Sequence, residues 1–538
     1  MNADRYSMLT RLRLIGAMGL VVLLLGCGGG SDDPMATYRD QTVAWGACDT
    51  NRFDKESLAI DQELSSRVVC ADIRAPIDYA NPAQGEIKVA VMRVKGANGR
   101  NDNPAILFNP GGPGDDGWSF GLRAAALWGR SDTTEDPAVA HAYQELAATY
   151  DLVGFSPRGT GWSTTLTCPR SQAPFPVADP TRNLDPTNIE NTLRNSQLIA
   201  QSCENNPLMP FINTDATARD MDLIRHLLHQ DKLNYIGLSY GTWLGNWYAS
   251  IFPERVGRML LTGVTNFSVP LSHQNLIEDE VRQDVFDKVI IPYAANNSSS
   301  FGFDPAITID SLRFLISHLS DDLHSALVNE FINTSLLSSA SKIKDAVLTL
   351  RAVQVLDVAQ KKKPTANESD LKEALVDTSN QIVHSIGQKL LDRHFRPETP
   401  DDAMYWSIVC NDIGTDYTPD TWVTESNENA RKYPDFGGAV RENACLYWRK
   451  PTIPRPQQWR AAQTGPIVMI QSEKDPLTIL PGAMNSLSLL PNASMVIIDD
   501  EITHAPVPPY GTTCVDKPIA DYFLRGTPLP RMTHCPAR

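Results

Sequence analysis

The chain of 538 residues is longer than one compact core usually holds, so we expect either one large elaborated domain or two tightly coupled ones. Its composition is that of a globular protein, with 42% hydrophobic residues and neither a low-complexity block nor an internal repeat. The net charge of −15 argues against a nucleic-acid partner, because binding to phosphates needs a basic surface.

The N-terminus has the pattern of an export signal. Three arginines precede an apolar run at 14–25, which is too short for a membrane-spanning helix and suits the centre of a signal peptide. The following "LLGC" resembles a bacterial lipobox, which implies cleavage before Cys27 and attachment of lipid to its sulfur. We therefore expect a signal peptide at 1–26, a flexible tether at 27–40 and a cell-envelope lipoprotein that contacts the membrane through Cys27. Gly28 after the cysteine resembles outer-membrane lipoproteins, so we expect the protein to face the periplasm or the cell surface.

The other cysteines are even in number and widely spaced, without a C-x-x-C pair that would indicate zinc or a redox motif. In an oxidising compartment they predict four disulfides. The sequence does not fix their connectivity, but pairing of neighbours gives four modest loops: Cys48 with Cys70, Cys168 with Cys203, Cys410 with Cys445, and Cys514 with Cys535.

From residue 41 the chain alternates short apolar strands with helices. Strands are predicted at "IKVAVMRV", which begins at Ile87, and at 105–109, 150–155, 233–238 and 258–264; helices are predicted at 216–228 and 240–253. This alternation is typical of a mostly parallel sheet with helices on both faces.

The pattern changes between residues 268 and 456, where the long segments have helical period. Examples are 311–331, 341–360 and 371–395. Strands resume at 466–471 and 494–499, with helices at 479–490 and 518–524. We therefore predict an α/β core, formed by 41–267 and 457–538, that is interrupted by a helical insertion at 268–456.

Two stretches fit the G-x-S-x-G pattern of a serine-hydrolase nucleophile, one centred on Ser119 and one on Ser239. Such a serine lies on a tight turn between a strand and a helix, where the glycines prevent crowding. Ser239 meets this requirement, because an apolar strand ends before it and an amphipathic helix begins after it. Ser119 follows the loop "NPGGPGDD" without an intervening strand, so we interpret it as a loop residue and Ser239 as the nucleophile.

An acyl-transfer enzyme needs backbone N–H donors directed at the developing oxyanion. One donor is usually the residue after the nucleophile, here Tyr240, and the other lies in a loop after an earlier strand. The loop "NPGGPG" directly follows the predicted strand at 105–109. Gly111 or Gly112 is therefore the second expected donor, since proline has no N–H.

A serine nucleophile needs a base that is itself oriented by an acid. In this type of fold both residues follow the nucleophile in the sequence and lie on loops after the last strands. Asp475 in "QSEKDPLT" and His504 in "DEITHAP" meet this expectation, with Glu473 as the alternative acid. His534 competes as the base, but it adjoins a cysteine near the chain end.

With these motifs the chain resembles α/β-hydrolases of the tripeptidyl-aminopeptidase-like group, which are relatives of the prolyl aminopeptidases. The resemblance covers nearly the whole mature chain and rests on "WGACD", "VVCADIRAPIDY", "NPGGPG", "SPRGTGWS", "GLSYGTWLG", "SIVCND", "EKDPLT" and the C-terminal cysteine region. It implies an α/β-hydrolase fold with the helical insertion as a cap over the site. It also implies release of short peptides or single residues from a free N-terminus, without a metal or organic cofactor.

Three positions depart from this resemblance. Ser156 occupies a position where relatives usually carry Asp, Thr262 lies in a stretch where Asp-Gly-Val is common, and Thr503 replaces a glycine before the histidine. None of these positions belongs to the expected triad. They leave the substrate open, because site loops determine the substrate and the fold does not.

Three functions compete. An aminopeptidase needs a carboxylate in the cap to pair with the ammonium group of the substrate, and a carboxylesterase would use the same triad on small esters without recognising an amine. A non-enzymatic binding scaffold is the third, and the complete set of site residues argues against it. The cap offers several candidate carboxylates: Glu278, Glu280, Asp402, Asp412 and Glu442.

Overall fold

The computed structural model describes residues 33–303, 307–376, 381–395, 403–438, 441–449 and 453–538. The predicted signal peptide and the predicted lipid attachment at Cys27 lie outside these residues. Near the start of the described chain, helix α1 (Ala36–Arg39) packs on the core through the buried side chain of Tyr38. The Tyr38 hydroxyl donates to the carbonyl of Pro82 at 3.0 Å, so the tether does not extend to residue 40 as predicted.

A mixed sheet forms the centre of the protein. Its strands are β1 Val68–Pro76, β2 Glu86–Val94, β3 Ala105–Asn109, β4 Asp151–Phe155, β5 Leu233–Leu238, β6 Val256–Thr262, β7 Ile467–Ser472, β8 Ala493–Asp499 and β9 Met532–Pro536. Their spatial order is β1-β2-β4-β3-β5-β6-β7-β8-β9. Strand β2 pairs antiparallel with β1 and β4, and all further neighbours are parallel. The prediction of a mostly parallel sheet is therefore confirmed.

Helices flank the sheet and fill the insertion. Those before the insertion are α2 Lys55–Leu64, α3 Phe120–Gly129, α4 Pro137–Thr149, α5 Pro186–Cys203, α6 Thr214–Leu227 and α7 Tyr240–Ile251. Those of the insertion are α8 Gln274–Val285, α9 Ile291–Asn296, α10 Ile309–Ser317, α11 Asp321–Asn333, α12 Ile343–Lys362, α13 Glu368–Val376, α14 Gln381–Phe395, α15 Ala403–Asp412 and α16 Pro419–Lys432. Two more follow it: α17 Leu480–Leu489 and α18 Thr513–Arg525.

The sheet is covered on both faces. Helices α3, α4 and α18 share one hydrophobic cluster with it, whereas α6, α7 and α17 belong to the cluster on the opposite face. Strands β3, β4 and β7 are buried at every residue, which explains why their sequences are continuous apolar runs. Burial on both faces thus follows directly from the alternation of strands and helices.

The described part of the insertion contains helices and no strand, and most of its helices pack around a third hydrophobic cluster. The prediction of one helix at 311–331 is wrong, because the structure has two helices there: α10 ends at Ser317 and α11 begins after Ser320. The Ser320 hydroxyl accepts from the N–H of Leu323, and such a side-chain cap starts a new helix. The last helix is also longer than predicted, since α18 begins at Thr513 and contains Pro518.

Four disulfides join the cysteines in the neighbour pairing that was expected. They are Cys48–Cys70, Cys168–Cys203, Cys410–Cys445 and Cys514–Cys535. Of the helices that the structure describes, none has the length and hydropathy needed to cross a membrane.

Candidate active site

The candidate site lies at the carboxyl edge of the parallel strands, where loops after β3, β5, β7 and β8 meet. Ser239 occupies the sharp turn between β5 and α7, with φ 53° and ψ −121°. This left-handed conformation is strained for a serine and is typical of a nucleophile that projects from such a turn. The flanking glycines are required, because a Cβ atom at Gly237 would lie 2.3 Å from the carbonyl oxygen of Gly241.

The second G-x-S-x-G match has a different setting. Ser119 is the residue before α3 and has φ −86°, an ordinary value. It is not among the described residues that line the cavity beside Ser239. The two serines therefore differ in backbone conformation and in their position relative to the cavity.

Asp475 and His504 lie on the loops after β7 and β8 and are hydrogen-bonded to each other. The two carboxylate oxygens of Asp475 lie 3.0 and 2.9 Å from His504 Nδ1. Asp475 is fully buried and also accepts from the N–H groups of Leu477 and Thr478 and from the Thr478 hydroxyl, at 2.9, 3.0 and 2.9 Å. These bonds hold the carboxylate in place and favour a proton on His504 Nδ1, which leaves Nε2 as an acceptor.

The alternative acid and base are engaged elsewhere. Glu473 is exposed and accepts from the N–H of Asp500 at 2.7 Å. The Nδ1 atom of His534 lies 2.7 Å from a carboxylate oxygen of Asp499, so its partner is not Asp475. The structure thus brings Asp475, rather than Glu473, to His504.

Thr262 at the end of β6 joins the nucleophile turn to the loop of His504. Its carbonyl accepts from the N–H of Ser239 at 2.9 Å, and its hydroxyl donates to the carbonyl of Pro506 at 2.8 Å. The hydrogen bonds of the described residues do not include one between the Ser239 and His504 side chains. Such bonds between nucleophile and base often tighten only when substrate is bound.

The glycine-rich loop after β3 lies against the nucleophile turn. A Cβ atom at Gly111 would lie 2.6 Å from the carbonyl oxygen of Leu238 and 3.2 Å from the nitrogen of Tyr240. The Gly111 N–H donates to Asn109 Oδ1 at 3.1 Å, whereas none of the described hydrogen bonds uses the N–H of Gly112. Gly112 also lines the cavity, so it is better placed than Gly111 to donate to an oxyanion, together with Tyr240 at the first position of α7.

A cavity of about 200 Å³ lies beside Ser239. Its wall combines the triad loops with residues of the insertion, so the insertion covers the site. The lining residues from the insertion are Leu271, Gln274, Glu278, Arg282, Tyr405 and Val409. The wall combines apolar with polar side chains, and Glu278 and Arg282 are the charged residues among those that the structure describes in it.

Glu278 and Arg282 lie one turn apart on α8 and form an ion pair in which the guanidinium donates to Oε2. Both are nearly buried, with 6% and 3% of their surface exposed. Burial raises the pKa of the Glu278 carboxyl to about 8, and the charges of Asp279 and Asp475 act in the same direction against the attraction of Arg282. The cavity therefore contains a carboxylate that gains strongly from an additional cation.

Two further groups contact the site residues in ways that the sequence did not predict. Thr478, which bonds to both Asp475 and His504, is a neighbour of the acid but has no distinctive spacing. Asp412 accepts from the Thr214 N–H at 2.7 Å, and the Thr214 hydroxyl lies 2.6 Å from the Tyr240 hydroxyl. This contact fixes the residue after the nucleophile, and it joins elements too distant in sequence to be predicted.

Comparisons with known proteins agree with this fold. A family model described as alpha/beta hydrolase fold matches residues 104–319, and one described as TAP-like protein matches residues 433–535. A tripeptidyl aminopeptidase of Streptomyces lividans is 26% identical over 90% of this chain and 86% of its own. Serine protease Hip1 of Mycobacterium tuberculosis is 25% identical over 99% and 100%, and carboxylesterase B of the same species is 27% identical over 94% and 92%.

The fold and these relatives define a serine hydrolase of the α/β-hydrolase class. The two family matches and the similarity to these relatives over most of their length support a tripeptidyl-aminopeptidase-like member of that class. The predicted fold and enzyme class are thereby confirmed.

Proposed function

We propose that the protein is an aminopeptidase that releases single residues or short peptides from free N-termini through a Ser-His-Asp acyl-enzyme mechanism. The observation that carries this proposal is the buried carboxylate of Glu278 in the wall of the cavity that contains Ser239. This buried carboxyl, whose pKa is raised even beside Arg282, suits a substrate that brings a positive charge, because an ammonium group stabilises its ionised form.

In the proposed reaction Ser239 attacks the carbonyl carbon of the substrate while Nε2 of His504 takes the hydroxyl proton. Asp475 holds the imidazole and stabilises the imidazolium that forms. The N–H groups of Gly112 and Tyr240 stabilise the negative oxygen of the tetrahedral intermediate. His504 then donates its proton to the leaving amine, and water hydrolyses the ester at Ser239 by the reverse sequence of proton transfers.

Glu278 is the best supported of the candidate carboxylates for the substrate amine. Arg282 donates to its Oε2 atom, and none of the hydrogen bonds of the described residues uses Oε1. An ammonium group can therefore approach Oε1 while Arg282 keeps its contact. The raised pKa of this carboxyl means that an entering cation stabilises the ionised form.

The other candidates are less suitable. Glu280 lies on the exposed side of α8 and accepts from the Tyr433 hydroxyl at 3.0 Å. Asp412 is buried behind the nucleophile turn with Thr214, and Glu442 is not among the described lining residues of the cavity. Asp402 lies outside the described residues.

The test compares an alanine anilide that has a free amine with its N-acetylated form and with a short-chain nitrophenyl ester. We expect cleavage of the free-amine anilide, loss of cleavage on acetylation, and no turnover by Ser239→Ala. Glu278→Gln should raise KM for the free-amine anilide by about 10- to 100-fold, since a hydrogen bond to a charged group contributes about 1.5–3 kcal/mol. Turnover of the ester should remain close to that of the wild type.

Glu280→Gln is the matched control, because it removes the same charge two residues further along the same helix. It should leave KM unchanged. Turnover of the ester with both anilides untouched would instead favour a carboxylesterase, which the apolar part of the cavity wall and the relative of that name also allow. An equal rise of KM in both variants would refute the role of Glu278.

We also propose that the protein is exported and anchored by lipid at Cys27. The lipobox-like sequence and the disulfides, which persist in oxidising compartments, support this location. Metabolic labelling with palmitate should mark the protein in the membrane fraction, and Cys27→Ala should abolish the label. A labelled Cys27→Ala variant would refute the anchor.

A further inference from the structure

The loop that carries His504 is held by the insertion as well as by the core. We call residues 500–506 the histidine loop. The N–H of His504 donates to the carbonyl of Ser338 at 2.8 Å, and Ser338 lies between α11 and α12 of the insertion. Ile502, with 3% of its surface exposed, belongs to the hydrophobic cluster of the insertion rather than to either cluster of the sheet. The proposed base is therefore attached to the same body that covers the cavity.

Thr503 lies at the centre of this attachment. Its hydroxyl accepts from the N–H of Ala340 in the insertion at 3.3 Å and donates to Oε1 of Glu501 at 2.7 Å. Its carbonyl accepts from the hydroxyl of Ser472, the last residue of β7, at 2.6 Å. One residue thus joins the insertion, the histidine loop and the strand that precedes Asp475.

Glu501 makes this junction rigid. It is nearly buried, with 3% of its surface exposed. Its Oε1 atom accepts from the N–H groups of Ile502 and Thr503, at 2.8 Å each, and Oε2 accepts from the Tyr510 hydroxyl. The Thr503 hydroxyl is the one side-chain donor to Oε1 among the described hydrogen bonds. Because the same hydroxyl accepts from the N–H of Ala340, it connects the fixed carboxylate of Glu501 to the insertion.

We infer that Thr503 is a positioning residue for His504, which couples the placement of the base to the insertion. This inference rests on the proposed function of Ser239 and His504 and extends it. The physical reason is that a displacement of about 1 Å in a catalytic group can cost about 100-fold in rate, and Thr503 directly precedes the histidine. A glycine at this position would lack the hydroxyl that joins the two parts.

Two substitutions break the contact from opposite sides. Thr503→Val keeps the shape of the side chain and removes the hydroxyl. Ala340→Pro removes the donor N–H. The fold tolerates a proline here because Ala340 is the first residue of a short 3₁₀-helix. Ser339 before it is extended, with φ −153° and ψ 120°, as a residue that precedes proline should be. Thr503→Ser restores the hydroxyl.

The experiment measures kcat and KM for the free-amine anilide and for the nitrophenyl ester, and the rate of inactivation by an aryl phosphonate. Thr503→Val should lower kcat for both substrates by about 10-fold or more, with KM within about twofold, because the base rather than the substrate is displaced. The rate of phosphonylation should fall in the same ratio. Thr503→Ser should recover most of kcat. Ala340→Pro should lower kcat in the same direction, and the double variant should lose less than the product of the single effects.

Thr192→Val on α5 is the control, since it removes a buried hydroxyl whose one hydrogen bond among the described residues is to the carbonyl of Asn188. It should leave kcat unchanged. Wild-type kcat in folded Thr503→Val, or in Ala340→Pro if the valine variant does not fold, would overturn the inference. Failure of the proposed function is distinguishable, because turnover would then persist in Ser239→Ala and His504→Ala.

Discussion

His324 offers a demanding test of how the insertion is attached to the core. It lies on α11 and is fully buried between two carboxylates, with Nδ1 against Asp179 of the core and Nε2 3.1 Å from Asp435 of the insertion. Arg182 adds its charge 3.7 Å from Asp435. Burial lowers the pKa of His324, but the hydrogen bonds to Asp179 and Asp435 outweigh it, so that the pKa is raised above its ordinary value. The pKa values of both carboxyls are lowered, since the bonds from His324 outweigh the opposing effect of burial.

His324→Ala should destabilise the protein by about 3–5 kcal/mol at about pH 6, because it removes the imidazole that bonds to the buried carboxylate of Asp179 and to the partly buried carboxylate of Asp435. A histidine with a raised pKa contributes fully to the free energy of unfolding below its pKa in the unfolded chain, about 6.5. This contribution is lost as the pH rises through its pKa in the folded protein. The contribution of the two carboxyls, whose pKa values are lowered, is present above about pH 4 and is lost below it. The difference in the free energy of unfolding between wild type and His324→Ala should therefore be largest between these two pH limits and become smaller towards alkaline pH.

The assay is urea unfolding followed by circular dichroism at about pH 5.5, 7 and 8.5. His318→Ala, which removes an exposed histidine at the end of α10, is the control and should change the free energy of unfolding by less than about 0.5 kcal/mol. A difference for His324→Ala that stays below about 1 kcal/mol, or that is the same at all three pH values, would refute the assignment of a charged histidine between two carboxylates.

Three further predictions concern the site and the scaffold. Gly111→Ala should lower kcat by about 100-fold or more, because its Cβ atom would meet the backbone before Ser239 and displace the glycine-rich loop after β3. Gly129→Ala is the control and should leave kcat unchanged, since no atom lies within 4 Å of the added carbon. Equal kcat values for the two variants would contradict this prediction. KM for the free-amine anilide should fall as the pH rises from about 6 towards 8, because the Glu278 carboxyl, with its pKa of about 8, gains the negative charge that binds the ammonium group. KM for the ester should stay constant over this range. A KM that does not change with pH for either substrate would exclude Glu278 as the group that binds the amine. Removing the Cys168–Cys203 bridge, which spans 35 residues, should lower the free energy of unfolding by about 3–4 kcal/mol in denaturant titrations, and an unchanged midpoint would show that the loop adds no constraint.

Local sequence patterns were sufficient for the parts of the molecule that are built from neighbouring residues. The strand before Ser239, the glycines around it and the helix after it form one continuous stretch, so its turn could be predicted. Asp475 and His504 could be placed because parallel strands bring their carboxyl ends to one edge. Strands β1 and β9 were missed, since each lies at an edge of the sheet and has a partly exposed, less regular pattern.

Contacts between distant segments could not be predicted. The sequence offered five carboxylates for the amine, and only the packing of α8 over the nucleophile turn distinguishes Glu278 from its neighbour Glu280. The contact of Ser338 with His504 joins residues 166 positions apart, and no periodicity or motif in the sequence predicts it. The choice between Gly111 and Gly112 likewise depends on which N–H is already bonded to Asn109.

The proposed mechanism depends on Ser239 as the nucleophile. The most direct measurement is to react the protein with a fluorophosphonate probe, digest it and locate the modified residue by mass spectrometry, in the wild type and in His504→Ala. We predict modification of Ser239 alone, at a rate that falls strongly in His504→Ala. Modification of Ser119, or hydrolytic activity that survives in Ser239→Ala, would show that Ser239 is not the nucleophile.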